Sequence, residues 1–404
     1  MSIFPEYHLV KEDPIFGIVE QFLSDRRETK VDLTIGILKN ENLDAYLLHS
    51  VEIAEERILE KRHAKTYLPI LGSAQYIHSM KQCAFGAKIA SEIEEFLFGM
   101  QTIGGTGALY IACKLLRLSG IQSMLLSEPT WPNHSKIARS LGYKVEFFPY
   151  YSMKEHRVVF SSMLSYLMES PSGSIVVLQP SCHNPTGADL LEEQWRVLAN
   201  IVQEKKLTVI FDMAYQGLGR GLEEDAFPIR LFISLSIECV VAMSSAKNFG
   251  LYGERAGSLF FFIRDPNKRR AIVSVAKSMV REIYSNPPRH GADIVAEILT
   301  SRDLQQVWHK ELQSMQNRIQ TTRDALATCF FQYTGQSKFS FIRNQFGLFS
   351  CLGCSPDEAT RLQKEYGIYI TIDGRINITG LNSKNIPYVC LLYTSPSPRD
   401  LSTS

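Results

Sequence analysis

Five short apolar runs recur through the middle of the chain, and they constrain its fold more than any other feature. They are Ser123–Ser127 (SMLLS), Ser174–Leu178 (SIVVL), Leu207–Phe211 (LTVIF), Cys239–Ala242 (CVVA) and Ser258–Ile263 (SLFFFI). Apolar, β-branched runs without strict alternation suit strands buried on both faces. Helix-spaced segments such as 191–204 lie between some of them. Strands separated by helices predict a mostly parallel sheet in an α/β domain. Helical spacing also marks 48–63, 74–98 and about 300–334. Beyond these, IRNQFGLFSC reads as strand and PDEATRLQKEYG as helix, an α+β pattern.

The expected organisation is an N-terminal arm over 1–14 and a small domain assembled from 15–47 and 311–390. A large domain over 48–310 lies between its two parts. The segment 391–404 ends in SPSPRDLSTS, has no helical period, and is expected to be a disordered or non-native tail. No internal repeat stands out.

Composition excludes several classes. Charged residues make up 21% of the 404 and apolar residues 45%, so the chain can bury a large core and disorder is not its main state. The 43 basic and 42 acidic residues nearly cancel, which gives no global drive toward nucleic acid or an anionic membrane. No apolar run approaches the ~18 residues needed to span a bilayer. The opening MSIFPEYHLVKEDP lacks the basic-then-apolar pattern of a secretory signal, and the eight cysteines are scattered. A cytoplasmic, reducing setting is expected.

The sharpest local motif is Ser244-Ser245-Ala246-Lys247-Asn248-Phe249-Gly250-Leu251-Tyr252-Gly253-Glu254-Arg255, directly after CVVA. In α/β sheets the ligand crevice lies past the carboxyl ends of the strands. A partly desolvated lysine there has a lowered pKa and attacks carbonyls, while the hydroxyls and Arg255 can hold a phosphate. An ordinary surface lysine in a turn reads the same way. Gly104-Gly105-Thr106-Gly107 opens a helix-like run, the arrangement of an anion cradle or of a tight packing corner. Asp212 follows LTVIF, with Tyr215 close behind; it faces the crevice or caps a helix. Asn184-Pro185-Thr186-Gly187 follows SIVVL and also reads as a plain turn. Trp131, between Thr130 and Pro132, can stack on a flat ligand or sit in a core. Arg375 and Arg281 are carboxylate clamps or solvated charges. Cys351 and Cys354 have metal-like spacing, but no second pair follows, which argues against a metal site.

The order of these motifs along the chain resembles the aspartate aminotransferase family, fold-type I enzymes that use pyridoxal 5'-phosphate. The resemblance runs from Asp13 to about Tyr388 through VDLTIGILK, GGTGAL, EPTWPNH, CHNPTG, FDMAYQG, SSAKNFGLYGER, YSNPP and GRINITG. It implies a seven-stranded sheet and a homodimer with shared sites. It implies transamination between L-aspartate and 2-oxoglutarate, giving oxaloacetate and L-glutamate in a ping-pong cycle. Lys247 would form the aldimine with the cofactor and then move a proton. Asp212 would hold the pyridine nitrogen, oriented by His134. Asn184 and Tyr215 would meet the phenolic oxygen, and Trp131 would stack on the ring. Gly105, Thr106, Ser244 and Arg255 would bind the phosphate, with Tyr67 reaching it from the neighbouring subunit. Arg375 would take the substrate α-carboxylate beside Gly36 and Asn184. Arg281, from the other subunit, would take the distal carboxylate.

Two positions depart from the family pattern: Ala246 where serine is common, and Gln179 where histidine is common. The family's final helix also gives way here to the expected tail. An aromatic amino acid aminotransferase of the same family is the nearest alternative; Lys39, Thr106 and Asn286, expected as polar groups around the pocket, favour aspartate. A non-catalytic scaffold is disfavoured by the presence of Lys247, Asp212, Arg255 and Arg375. A decarboxylase or lyase is disfavoured by the paired arginines.

Overall fold

The computed structural model describes residues 14–394. Apart from Pro14, the expected N-terminal arm lies outside them. Seven strands form the central sheet: β1 (Leu97–Ile103), β2 (Ser123–Glu128), β3 (Lys144–Pro149), β4 (Ile175–Leu178), β5 (Thr208–Met213), β6 (Cys239–Ser244) and β7 (Ala256–Phe262). Their order is β1-β7-β6-β5-β4-β2-β3. Neighbours pair in parallel except around β7, which runs antiparallel to both β1 and β6.

The five apolar runs are all strands of this sheet, and β4, β6 and β7 are buried at every position. Alternate side chains feed two cores. Val176, Leu178, Val209 and Phe211 pack on one face; Ile175, Val177, Ile210 and Val240 pack on the other. Both faces are thus covered, as a parallel sheet requires.

The sheet has the seven strands that the resemblance implies, two of them at places that the apolar runs do not mark. The helical spacing expected to reach residue 98 is broken at Gly86, at φ +78°, between the helices Ala74–Phe85 and Ala87–Glu92, and ends with the second of them. After a 3₁₀ turn at Glu94–Phe96 the chain enters β1. Strand β3 lies at the sheet edge, carries Lys144 and Glu146, and has a single buried side chain, Phe148.

A third core joins Val31 and Leu33 to Leu326, Phe330, Phe339, Leu362, Ile376 and Val389. Val31–Asp32 pairs in parallel with Ile368–Tyr369, and Phe349–Cys351 pairs antiparallel with Arg375–Asn377. The 33-residue helix Arg302–Thr334 has residues in both the first and the third core. Helix Pro356–Tyr366 starts at a Ser355/Glu358 capping box and ends at Gly367 in the left-handed region. The chain does not become irregular at residue 391: the helix Ile386–Thr394 continues to Thr394, with Val389 and Cys390 buried and Tyr393 Oη donating to the Leu352 carbonyl at 3.0 Å. Enough apolar side chains precede the Ser/Pro run to make a packed turn of helix. Residues 395–404 lie outside the described residues.

Candidate active site

The carboxyl ends of β4, β5 and β6 open onto a cavity of about 510 Å³. Eleven of the expected site residues line it: Gly36, Gly105, Thr106, Trp131, Asn184, Asp212, Tyr215, Ser244, Lys247, Arg255 and Arg375. They come from distant parts of the sequence, which the sheet brings to one rim.

Lys247 stands in a loop held from several sides. Ser245 Oγ lies 3.0 Å from the buried Tyr76 hydroxyl. Asn248 Nδ2 donates to the Gln216 carbonyl at 3.2 Å, and its own carbonyl accepts from Trp308 Nε1 at 2.8 Å. Phe249 stacks on Trp308 at 4.5 Å. Gly250, at φ +66°, turns the chain. The Lys247 Nζ lies 5.0 Å from the centroid of the Tyr215 ring. Burial pushes its pKa below the ordinary lysine range; the Asp212 carboxylate opposes this and Arg255 adds to it. A larger neutral fraction of the amine makes it a better nucleophile and base.

Asp212 is buried, and its Oδ2 lies 2.9 Å from His134 Nε2. His134 does not line the cavity; it stands behind Asp212 with its Nδ1 2.8 Å from Thr130 Oγ1. Trp131 meets His134 edge-on at 5.3 Å. Tyr215 is buried, and burial followed by the Asp212 charge raises its pKa.

At the other end, backbone crowding shapes an anion cradle. The helix Gly104–Leu118 begins where the Gly104 N–H donates to the Arg255 carbonyl at 2.8 Å. Gly104 sits at φ +62°, and a Cβ there would lie 2.6 Å from an Arg255 guanidinium nitrogen. A Cβ on Gly105 would lie 3.1 Å from Ser244 Cβ. Helix N–H groups, a hydroxyl and a guanidinium therefore converge on space that side chains there would fill.

Arg375 is buried with its guanidinium 4.3 Å from the Phe349 ring centroid. It donates to the Thr34 carbonyl at 2.7 Å and to Asn184 Oδ1 at 3.4 Å. Gly36 abuts Phe349: a Cβ would sit 2.9 Å from that ring.

Tyr67 and Arg281 are outside this cavity. Tyr67 is 90% exposed and borders a second hollow of about 650 Å³ that shares Gly253 and Arg255 with the first. Arg281 is exposed and donates to Ser285 Oγ, on the rim of the same hollow. Lys39 does not face the cavity as a free polar group; its Nζ pairs with Asp32 at 3.0 Å. Asn286 donates to the Leu68 carbonyl at 2.6 Å and borders the second hollow. Of these three polar residues, Thr106 alone lines the cavity.

Tyr252 and Phe349 line the cavity and had no assigned part in the sequence reading. The Tyr252 hydroxyl accepts the Leu38 N–H at 2.8 Å, which ties the segment beside Gly36 to the lysine loop. Its place in LYGER was a usable signal; nothing local marks Phe349.

The residues present fit pyridoxal phosphate. A buried amine, a carboxylate beyond it, the Tyr215 hydroxyl, and a glycine cradle closed by Ser244 and Arg255 match its aldehyde, ring nitrogen, phenolic oxygen and phosphate. The sequence profile described as "Aminotransferase class I and II" matches residues 28–391. The chain belongs to this family. Among aminotransferases it is 39% identical over 379 residues to an aspartate aminotransferase of Salmonella typhi, covering 94% of this chain and 96% of that one. It is 36% identical to an aromatic-amino-acid aminotransferase of Pseudomonas aeruginosa, covering 96% and 97%. Its fold matches an aromatic-amino-acid aminotransferase of Burkholderia pseudomallei covalently bound to pyridoxal phosphate, with a TM-score of 0.93, 37% identity and coverage of 97% and 99%. The cytoplasmic aspartate aminotransferase of Saccharomyces cerevisiae matches at a TM-score of 0.93 and 34% identity, covering 97% of each chain.

Proposed function

We propose that this aminotransferase moves the amino group of L-aspartate to 2-oxoglutarate in a ping-pong cycle, as a cytoplasmic homodimer. The observation that carries the reading is the meeting of Lys247, Asp212 and Arg375 in one cavity. Bound pyridoxal phosphate supplies a sink for the electron pair of the broken Cα–H bond.

The chain's own residues do the rest. The backbone at Gly105 and Thr106, with Ser244 and Arg255, holds the phosphate. Asp212 keeps a proton on the ring nitrogen, and His134 fixes the carboxylate's orientation. Asn184 Nδ2 and the Tyr215 hydroxyl donate to the phenolic oxygen, and Trp131 covers one ring face. Arg375 grips the substrate α-carboxylate beside Gly36, which turns the Cα–H toward Lys247. The Lys247 amine would take that proton from the substrate Cα and give it up two bonds away, on the far side of the amino nitrogen.

A second copy of the chain completes the site. Tyr67 and Arg281 lie on exposed surface around the neighbouring hollow, which supports their service to a partner's cavity. There Tyr67 would reach the phosphate and Arg281 the distal carboxylate. The third core supports a small unit of 15–47 and 311–390 beside the large one over 48–310.

An aromatic substrate is the second reading. The cavity is lined by Ile35, Ile37, Leu109 and Phe349, and neither Lys39 nor Asn286 adds polarity to it. Relative kcat/KM for aspartate and phenylalanine decides between the two. Borohydride reduction and peptide mapping test the shared chemistry: the reduced adduct belongs on Lys247, and an adduct elsewhere, or none, refutes it.

A further inference from the structure

Gln179 follows β4 directly, is buried, and lines the cavity. Its carboxamide holds both backbone ends of one residue. Oε1 accepts the Asn184 N–H at 2.9 Å, and Nε2 donates to the Asn184 carbonyl at 3.0 Å. The rest of this turn is served from elsewhere. The Asp189 carboxylate accepts the N–H groups of Cys182 and His183 at 2.8 and 2.9 Å. Thr186 Oγ1 meets His183 Nδ1 at 2.9 Å and accepts the Ala188 N–H at 3.1 Å.

The two groups that Gln179 grips belong to the two peptide planes flanking the Asn184 Cα. Fixing both planes fixes the direction of Cβ, and with it the aim of the side chain. That side chain spans the site: Oδ1 lies 3.4 Å from Arg375 and Nδ2 lies 3.5 Å from the Tyr215 hydroxyl. Contacts this long are made or lost by small rotations. The void behind Gln179, bordered by Ser127, Tyr150 and His183, measures about 10 Å³, too little for the carboxamide to swing away.

We propose that Gln179 is a positioning residue that acts through Asn184, setting how that carboxamide meets Arg375 and the cofactor's phenolic oxygen. The cofactor half of this statement rests on the function proposed above. Histidine or another titrating group at 179 would tie the aim of Asn184 to pH; a neutral carboxamide does not.

The test uses holoenzyme carrying Gln179→Leu and, as a slimmer unbranched replacement, Gln179→Met. Both remove the two hydrogen bonds and add no charge. A loosened Asn184 donates less well to the phenolic oxygen, so the pH midpoint of the bound cofactor's visible absorption rises by about half to one unit. KM for the amino donor rises roughly tenfold as Arg375 loses its contact with Asn184. Cofactor content stays near that of the unaltered protein. A lower melting temperature with midpoint and KM unchanged in either folded variant makes Gln179 merely structural and overturns the proposal. An unaltered protein with no visible band that responds to amino acid would instead defeat the functional reading itself.

Discussion

The His134 imidazole and the Asp212 carboxylate, both buried, meet at 2.9 Å between Nε2 and Oδ2, and the second ring nitrogen is taken up by Thr130 Oγ1 at 2.8 Å. A carboxylate only accepts, so in this contact Nε2 is the donor and the charged carboxylate the acceptor. That charge is what can hold a proton on a pyridine nitrogen. Asp212→Asn keeps the shape and the hydrogen bond but removes the charge. Turnover should fall by a factor on the order of 10²–10⁴, with cofactor still bound through the phosphate cradle. Single-turnover absorbance with saturating amino acid measures it. Near-normal turnover in the Asn variant would remove Asp212 from the chemistry. His134→Leu should cost less, because it disturbs the carboxylate's aim and leaves its charge.

Gly104→Ala separates backbone strain from site geometry. Gly104 has φ +62°, where a Cβ costs about 1–2 kcal/mol. The same Cβ would press on the Arg255 guanidinium at 2.6 Å, and a flexible side chain yields by moving away. Gly120→Ala is the control: it has φ +96° and no atom within 4 Å of the added carbon. Both variants should lose stability, but Gly104→Ala alone should weaken cofactor binding, roughly tenfold for one displaced charge-assisted contact. Titration of apoprotein with pyridoxal phosphate reads the difference. Equal affinities in the two variants would mean that Arg255 does not face the phosphate.

Much of this arrangement was legible in the sequence because its parts are local. Lys247, Asp212 and Asn184 each follow a buried apolar run within a few residues, and the sheet's handed, parallel construction sends all such positions to one rim. What could not be read depends on contacts between remote segments. Phe349 beneath Arg375 joins two strands of a small sheet, and Tyr252 reaches Leu38 across more than 200 residues. Strand β1 was hidden by Gly99, whose missing side chain makes room for Phe260 and Ile77 and breaks the apolar run. The grip of Gln179 on Asn184 spans five residues, yet its meaning needs the backbone geometry of the turn.

His183 gives the molecule a defined weakness in acid. The ring is buried, stacked on Tyr150 at 4.1 Å, with Nδ1 2.9 Å from Thr186 Oγ1 and Nε2 3.1 Å from Ser127 Oγ. No carboxylate is among these partners. Burial, with a smaller contribution from His134, pushes its pKa down to about 3. In the unfolded chain the ring titrates near 6.5. Below that pH the unfolded state binds a proton that the folded state refuses, so stability is complete above about 6.5 and declines as pH falls toward 3. The loss reaches about 2 kcal/mol at pH 5. His183→Gln removes the titrating group while keeping donors and acceptors for Ser127 and Thr186. The unaltered apoprotein should therefore lose more stability than the variant between pH 8 and pH 5, measured by urea midpoints at both values. Equal losses would show that His183 accepts its proton in the fold after all, and the acid sensitivity would then have to arise elsewhere.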